Sequence, residues 1–419
     1  MFYYGLLLFI IFEYIRPGRY LPLIDALRLP TILALSLFVM SLVFSKTVSN
    51  GAVFKNSNTK WFIFFLSLIS ISVLTADVTL YAFKRFTQVL GYVFLYFVII
   101  KQVHTLNRMK GFFAILILAH IVIIFLSPDI IFHPETRSYL SQSSFLGDGN
   151  DFSLSLVIVL PLCLFLFLEE KSKTKRLIYL SVILLLTLCI IGTSSRGGSL
   201  ALASIILYLW LKSRKKIWGV VCILLLIWTV LLFASPTYFE RMETIRDYES
   251  ESSAMGRIMV WKAAINMALD HPILGVGAGQ FPMHFGHGGY KSEDNAMPGS
   301  WTTAHSIYFL ALGELGFPGI IFLLSIIISN LRSNGQKILG LKRYGTDLAV
   351  THQRLFISFN ASLIGFAVGG AFLSALYYPH LYILTGLFVS GNFIYKNNFL
   401  SLTKLEELEG GDSSHLNSQ

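Results

Sequence analysis

The sequence predicts an all-α, polytopic integral membrane protein with about twelve membrane-spanning helices. Hydrophobic residues make up 54% of the 419 residues, charged residues only 13%, and the mean hydropathy is +0.66. Soluble domains carry about 25% charged residues. Stretches such as 182–191 and 220–233 are apolar on every face, whereas the strands of a membrane barrel alternate apolar and polar residues. Helices are therefore expected, and a barrel is not.

The predicted spans follow from the length of the apolar segments, since about 20 residues of helix cross the hydrocarbon core of a bilayer. The segments 2–15 and 198–211 are short, and tilted or re-entrant helices are the alternative there. The twelve candidates lie near 2–15, 30–46, 60–76, 86–100, 111–127, 152–168, 177–194, 198–211, 217–234, 304–329, 355–376 and 379–395.

The distribution of basic residues predicts the orientation in the membrane. The net charge of +10 is also typical of nucleic-acid-binding proteins, but most of the Lys and Arg residues cluster in alternate short loops, which is the positive-inside pattern. We therefore expect no nucleic-acid partner, both termini in the cytoplasm, and the long polar segment 235–303 on the outer side. The strongest clusters are Lys171, Lys173, Lys175 and Arg176; Lys212, Arg214, Lys215 and Lys216; and Arg332, Lys337, Lys342 and Arg343.

The chain is predicted to form one integral membrane domain, 1–402, which includes the outer loop 235–303. The segment 403–419 is polar and is expected to be a disordered cytoplasmic tail. The sequence contains neither a Walker motif nor a dinucleotide-binding fingerprint, so no cofactor is expected.

Arg196 is the first candidate for chemistry, within the string Thr-Ser-Ser-Arg-Gly-Gly at 193–198. A guanidinium binds phosphate oxygens in bidentate fashion, and the neighbouring Ser195 supplies a hydroxyl. Glycines at 197 and 198 allow a close approach of backbone and ligand. A phosphate or diphosphate site is predicted; the alternative is an arginine that reaches lipid headgroups.

Arg257 is the second candidate, at the predicted start of an amphipathic helix that ends at His271-Pro272. The first turn of a helix favours an anion, so a cation at this position suggests a negatively charged ligand. The alternative is an exposed arginine paired with Glu251. The predicted apolar face consists of Ile258, Trp261, Ile265, Ala268 and Leu269.

His305 is the third candidate, where the chain re-enters apolar sequence after the outer loop. An imidazole with a pKa near 6.5 can accept a proton at neutral pH. A histidine at the edge of a span is otherwise a hydrogen-bonded structural residue. The two arginines predicted on the same side of the membrane favour the catalytic interpretation.

A second outer loop, 127–151, offers accessory candidates. It contains Arg137 and the turn Gly-Asp-Gly-Asn-Asp at 147–151, where Asn150 or Asp151 can cap the next helix. A polar contribution of Arg137 and Asn150 to an outer active site is the alternative.

Three further residues are weaker candidates. His284 and His287 lie in a glycine-rich stretch without an obvious third ligand, so a flexible loop is favoured over a metal site. Glu314 lies inside the tenth predicted span and is either functional or hydrogen-bonded structurally. Pro318 is predicted to kink that helix.

These motifs, in this order, resemble the bacterial O-antigen ligase and O-antigen polymerase superfamily. The matching stretches are 148–152, 193–198, 256–261, 271–277, 304–309 and 313–319. They do not separate ligases from polymerases. The resemblance implies a GT-C-like glycosyltransferase of the cytoplasmic (inner) membrane with its active site facing the periplasm. Motif by motif, it implies that Arg196 and Arg257 hold a diphosphate and that His305 acts as base or positions the acceptor.

The activity implied by the resemblance is transfer of a glycan from undecaprenyl diphosphate to an acceptor hydroxyl, as on lipid A-core in lipopolysaccharide biosynthesis. A polymerase and a protein O-oligosaccharyltransferase of the same superfamily are the alternatives. A lipid-linked glycan flippase is a further alternative, but it should carry charges along a path through many spans. Here the distinctive polar residues gather in the outer loops, which favours an enzyme.

Overall fold

The computed structural model describes residues 2–44, 47–127, 145–213, 215–217, 219–221, 224, 228, 252–287, 289–290 and 301–412. Every regular element in these ranges is helical, which confirms the predicted all-α class. The α-helices are α1 (Phe2–Ile15), α2 (Pro22–Ala26), α3 (Leu29–Phe44), α4 (Asn50–Lys55), α5 (Ser57–Thr75), α6 (Thr79–Gln102), α7 (Leu106–Leu126), α8 (Gly149–Glu169), α9 (Lys173–Gly192), α10 (Arg196–Lys212), α11 (Ser252–Asp270), α12 (Phe281–Gly286), α13 (Ile307–Leu341), α14 (Asp347–Gly370) and α15 (Pro379–Asp412). Two 3₁₀ turns lie at Pro17–Arg19 and Ala375–Tyr377.

Six of the described helices are long and apolar enough to cross a membrane: α5, α6, α7, α8, α9 and α13. The helices α1 and α3 are apolar but shorter. Most of the predicted span 217–234 lies outside the described residues, and each of the other predicted spans overlaps a helix. The chain is thus a polytopic membrane protein by helix length and composition, and the count of twelve spans stays a prediction.

The last helix is longer than the apolar segment that predicted it. The helix α15 continues to Asp412, through the first part of the segment 403–419 that the sequence assigns to a disordered tail. The stretch Lys-Leu-Glu-Glu-Leu-Glu at 404–409 consists of good helix formers, which accounts for the extension. Residues 413–419 lie outside the described part of the chain.

The centre of the bundle is formed by α8 and α14. Of the apolar window of α8, 78% is buried, compared with 28% for α9 at the periphery. The helix α14 packs against α8, α10 and α13. A Cβ added at Gly365 would lie 2.6 Å from Cγ1 of Val157, so a small residue allows close approach of α14 and α8, as is common between membrane helices.

A break in α13 ties the loop after α11 to the bundle. The kink lies at Gly316, with φ 63° and ψ −160°, two residues before the Pro318 that was predicted to cause it. Pro318 has no amide hydrogen to give to the carbonyl of Glu314, and the amide of Phe317 instead donates to the carbonyl of Pro272 at 2.9 Å. The loop after α11 replaces the missing donors.

This replacement uses two amides of the 271–277 loop. The amide of Val276 donates to the carbonyl of Gly313, and the amide of Gly277 donates to the carbonyl of Glu314, both at 2.9 Å. Gly275, with φ 60°, lies so close to α13 that an added Cβ would be 2.4 Å from the Gly313 carbonyl oxygen. The loop and the kinked helix therefore form one hydrogen-bonded unit.

Replacing Gly316 by alanine is expected to lower the free energy of unfolding by about 2 kcal/mol or more. A backbone with φ 63° and ψ −160° is essentially restricted to glycine and costs another residue about 1–3 kcal/mol, and the new Cβ would lie 2.4 Å from the Pro272 carbonyl oxygen. Thermal unfolding of the detergent-solubilised protein measures this. Gly335→Ala is the matched control in the same helix, because nothing lies within 4 Å of its added Cβ. Equal melting temperatures for the two variants would contradict the argument.

Candidate functional site

The N-termini of α8 and α10 lie side by side at the candidate site. A Cβ added at Gly149 would be 3.6 Å from Cβ of Thr193, and one added at Gly198 would be 1.9 Å from Oγ of Ser153. Only glycine allows the second contact. The packing of the two helix ends therefore brings the segment around Asp148 next to the segment that carries Arg196.

Ser195 fixes the start of α10. Its hydroxyl accepts a hydrogen bond from the amide of Gly198 at 3.1 Å, which is the usual role of an N-cap serine. The side chain is buried, so its hydroxyl serves the helix end that positions Arg196. Ser194 precedes it with φ 49°, a left-handed backbone that is uncommon for a residue other than glycine.

Asp148, and not the predicted Asn150 or Asp151, caps α8. The Asp148 carboxylate accepts from the amide of Asn150, and its Oδ2 lies 3.3 Å from Nδ2 of the same residue. The helix begins at Gly149, so the cap must come from the residue before it. Asn150 is thereby held against Asp148. Arg137, the other accessory candidate of this loop, lies outside the described residues.

The helix that carries Arg257 begins earlier than the sequence indicates. It starts at Ser252, in a pair of serines of the type that favours helix N-termini. Arg257 is therefore in the second turn, and the expectation that it sits in the first turn is wrong. Its guanidinium carbon lies 6.0 Å from the ring centroid of Phe372.

Phe372 connects the two arginine motifs. A Cβ added at Gly197 would lie 3.1 Å from Cβ of Phe372, while Arg257 lies over its ring. The start of α10 and the second turn of α11 thus meet at one aromatic side chain. This side chain belongs to residues 371–378, which we call the α14–α15 turn.

The buried face of α11 differs from the predicted one. Ile265 and Leu269 are exposed by 41% and 63%, although both were assigned to the apolar face. Small side chains let α11 pack closely on α13, where a Cβ at Gly313 would lie 3.4 Å from Cα of Ala264. The buried residues are Val260, Ala263, Ala264, Met267 and Ala268.

Trp261 joins α11 to residues 302–306, which we call the His305 strap. Its indole nitrogen donates to the carbonyl of Ala304 at 3.0 Å. Its ring stacks on Phe309 with centroids 4.9 Å apart. The position of the strap is thus tied to the helix that carries Arg257.

His305 is held in an unusual backbone conformation, with φ 46°. Its amide donates to Oγ of Ser374 at 2.9 Å, and its Nε2 lies 3.1 Å from Oγ1 of Thr302. The Thr303 hydroxyl also contacts Ser374. A non-glycine residue in this region costs about 1–3 kcal/mol and is found most often at functional sites.

The environment of His305 lowers the pKa of its imidazole. The largest cause is loss of hydration among the surrounding protein atoms, followed by the positive charge of Arg257; the negative charge of Asp148 acts in the opposite direction. The residue remains exposed, so a substrate can reach it. Because the pKa lies below its ordinary value, the imidazole is neutral at pH 7 and able to accept a proton.

The α14–α15 turn also reaches the start of α8. The Tyr378 hydroxyl interacts electrostatically with the Asp151 carboxyl. Burial, and then the charge of Asp151, raises the pKa of Tyr378, so this hydroxyl stays protonated. Sequence reasoning overlooked Phe372, Ser374 and Tyr378. The first two lie inside the predicted span 355–376, whereas the tyrosines at 377 and 378, between the last two predicted spans, were a usable signal.

Glu314 has a structural role in the hydrogen-bond network. Its Oε2 accepts from the amide of Gly279 at 2.8 Å and from the hydroxyl of Tyr377 at 2.7 Å, and its Oε1 accepts from the amide of Phe281 at 3.2 Å. A buried carboxylate is tolerated when it is hydrogen-bonded in this way. It links the loop after α11 to the α14–α15 turn.

The predicted flexible loop around His284 contains the short helix α12. Nε2 of His284 lies 3.3 Å from Oδ2 of Asp77, and the ring of His287 packs against Trp301. Loss of hydration lowers the pKa of His284, although Asp77 partly opposes this. Among the described residues, no group of three or more His, Cys, Asp or Glu side chains is placed to hold a metal ion.

Substitutions of Arg257 and Asp148 are expected to shift the pKa of His305 in opposite directions. Arg257→Gln is expected to raise the pKa of His305, because a positive neighbour is lost. Asp148→Asn is expected to lower it further, while asparagine keeps the helix cap. Histidine-selective ¹³C NMR titration measures both shifts, with His305→Gln assigning the signal. An identical pKa in both variants and the unmodified protein would contradict the described geometry.

Comparison with known proteins agrees with the motifs. Residues 180–324 match the model of a protein family described as O-antigen ligase, Wzy_C. No curated protein matches the chain. The matched stretch contains Arg196, Arg257, His305 and Glu314, and it excludes Asp148 and the α14–α15 turn. The match supports the predicted resemblance to the O-antigen ligase and polymerase superfamily, through an O-antigen ligase domain at residues 180–324.

Proposed function

We propose that the protein is an O-antigen ligase that transfers a glycan from undecaprenyl diphosphate to a hydroxyl of lipid A-core at the outer face of the cytoplasmic membrane. Members of the matched family are glycosyltransferase-like enzymes that act on lipid-linked glycans. The observation that carries the proposal is the placement of His305. Its amide is held by Ser374, and its imidazole is within electrostatic range of both Arg257 and Asp148.

The arginines would stabilise the leaving group. As the bond between the sugar C1 and the diphosphate oxygen breaks, its electron pair stays on that oxygen and negative charge develops. Arg196 at the start of α10 and Arg257 on α11 supply fixed positive charge at the two segments that meet on Phe372. Charge that is positioned before the reaction stabilises the transition state without reorganisation.

His305 would act as the general base. The acceptor oxygen forms its new bond to C1 while its proton passes to the neutral imidazole. A base of this kind contributes about 10²–10⁴-fold to the rate. A direct displacement inverts the configuration at C1, so the product linkage is expected to be opposite to the donor linkage.

His305→Ala is expected to reduce glycan transfer by about 10²–10⁴-fold, and Arg196→Ala and Arg257→Ala should also reduce it severely. The assay uses purified protein in nanodiscs with an undecaprenyl-diphosphate oligosaccharide, with and without lipid A-core, and identifies products by mass spectrometry. His284→Ala is the control, because His284 pairs with Asp77 on a different segment. Glycan on lipid A-core supports a ligase, and longer donor-linked chains would support a polymerase. Normal transfer by all three variants would refute the site.

Transfer is also expected to continue in the presence of EDTA. In this mechanism the two guanidinium groups supply the positive charge that a divalent cation provides in other transferases. The same assay is run before and after dialysis against EDTA, with added Mg²⁺ or Mn²⁺ as the reference. A loss of transfer that either cation restores would overturn the metal-independent mechanism.

A further inference from the structure

A cavity of about 530 Å³ extends from the His305 strap into the bundle. Its size falls within the range of about 300–1,000 Å³ that is typical of small-molecule sites. Thr303 and Ser374, which hold the amide of His305 in place, form one part of its wall. The rest comes from α1, α3, α6, α13 and the loop that contains Gly279. The cavity is therefore continuous with the surroundings of His305.

Two arginines, Arg16 and Arg85, and two glutamates, Glu13 and Glu314, line this cavity. Arg16 follows the end of α1 with φ 52°, and its guanidinium carbon lies 5.8 Å from the ring centroid of Phe145. Arg85 lies 5.4 Å from the ring centroid of Tyr377 and donates to Oε1 of Gln88 at 2.9 Å. Cations placed at membrane helices are costly, and they mark substrate pathways by default.

The two arginines carry more hydrogen-bond donors than their described neighbours can accept. A guanidinium carries five N–H donors, and a ring face occupies none of them. Within the described part of the chain, Gln88 is the hydrogen-bond acceptor at Arg85. Glu13 and Glu314 also line the cavity and interact electrostatically with Arg16 and Arg85, respectively. Three protein donors already bind Glu314, and the hydroxyl of Tyr92 donates to Glu13 at 3.0 Å, so the guanidinium N–H groups outnumber the acceptor sites that these carboxylates still offer. The cavity thus offers surplus donors, which suits an anionic ligand.

The remaining wall combines hydroxyl groups with apolar surface. Hydroxyls both donate and accept hydrogen bonds, which matches the hydroxyls of a saccharide. Apolar side chains on α1, α3 and α13 suit the lipid end of an amphiphile. The hydroxyl-bearing residues are Thr31, Thr87, Tyr92, Thr303, Ser374, Tyr377 and Tyr378, and the apolar ones include Phe9, Ala34 and Leu310.

We propose that this cavity is the acceptor subsite, and that Arg16 and Arg85 bind an acidic group of a hydroxyl-rich acceptor lipid. The inference rests on the proposed function. Arg257 interacts electrostatically with His305 and lies over Phe372, whereas the cavity begins at Thr303 and Ser374. His305 consequently stands between the predicted diphosphate site and the cavity, where a base must stand to take a proton from the acceptor hydroxyl.

Equilibrium binding tests the subsite without any turnover. Nanodisc-embedded protein is titrated with purified lipid A-core and, separately, with undecaprenyl diphosphate. Arg16→Gln and Arg85→Gln are each expected to weaken lipid A-core binding about 10-fold or more, as expected for loss of a charge-assisted hydrogen bond. Both should leave undecaprenyl diphosphate binding unchanged, and Arg257→Gln should show the opposite pattern.

Two variants control for charge and folding. Lys84→Gln removes a positive charge from the exposed residue next to Arg85 on α6 and should bind both ligands normally. Arg85→Lys keeps the charge and is expected to retain part of the lipid A-core affinity. The melting temperature of every variant is measured, which shows whether a variant that fails to bind is still folded. If Arg85→Gln is unfolded, lipid A-core binding by Arg85→Lys tests the proposal in its place.

Steady-state transfer then separates failure of the subsite from failure of the proposed function. Arg16→Gln and Arg85→Gln should raise KM for lipid A-core about 10-fold while kcat stays within a few-fold. Weaker undecaprenyl diphosphate binding in these variants would assign the cavity to the donor and overturn the proposal. Unchanged binding of both ligands, or no binding of lipid A-core to the unmodified protein, would also overturn it. Arginine-dependent binding without transfer would refute the ligase function and leave the subsite intact.

Discussion

The exchange of backbone hydrogen bonds between the 271–277 loop and the kink in α13 is the constraint on which the arrangement of the candidate site depends. Pro318 cannot donate to the Glu314 carbonyl, and Phe317 donates out of its own helix. Unsatisfied carbonyls in an apolar bundle cost several kcal/mol each. The amides of Val276 and Gly277 meet that need. The end of α11 is thereby fixed to the middle of α13.

Glu314 extends this constraint to the rest of the site. One buried carboxylate accepts from the loop amides of Gly279 and Phe281 and from the hydroxyl of Tyr377. The α14–α15 turn is therefore anchored to the same point of α13 as the loop. That turn supplies the ring beneath Arg257 and the hydroxyl that holds the amide of His305. A residue with no part in the proposed chemistry thus aligns the groups that perform it.

An aromatic ring lies beside each of three arginines in the proposed sites. Arg257, Arg85 and Arg16 each lie within 6.0 Å of a ring centroid. A ring face attracts a partly dehydrated cation by about 0.5–2 kcal/mol. Loss of hydration and then the charge of Arg257 lower the pKa of His305, against the charge of Asp148, so its imidazole is neutral at pH 7.

The sequence by itself determined the helical class, the order of the apolar segments, and Arg196, Arg257 and His305 as the residues to test. Apolar length and motif spacing are local properties, so they can be read without a fold. Only the tertiary structure decided that α11 begins at Ser252, that Asp148 caps α8 and that the α14–α15 turn joins the site. These features depend on which helix faces pack together and on which distant amide replaces a missing hydrogen-bond donor. Such pairings join residues far apart in the sequence, so a local sequence pattern does not predict them.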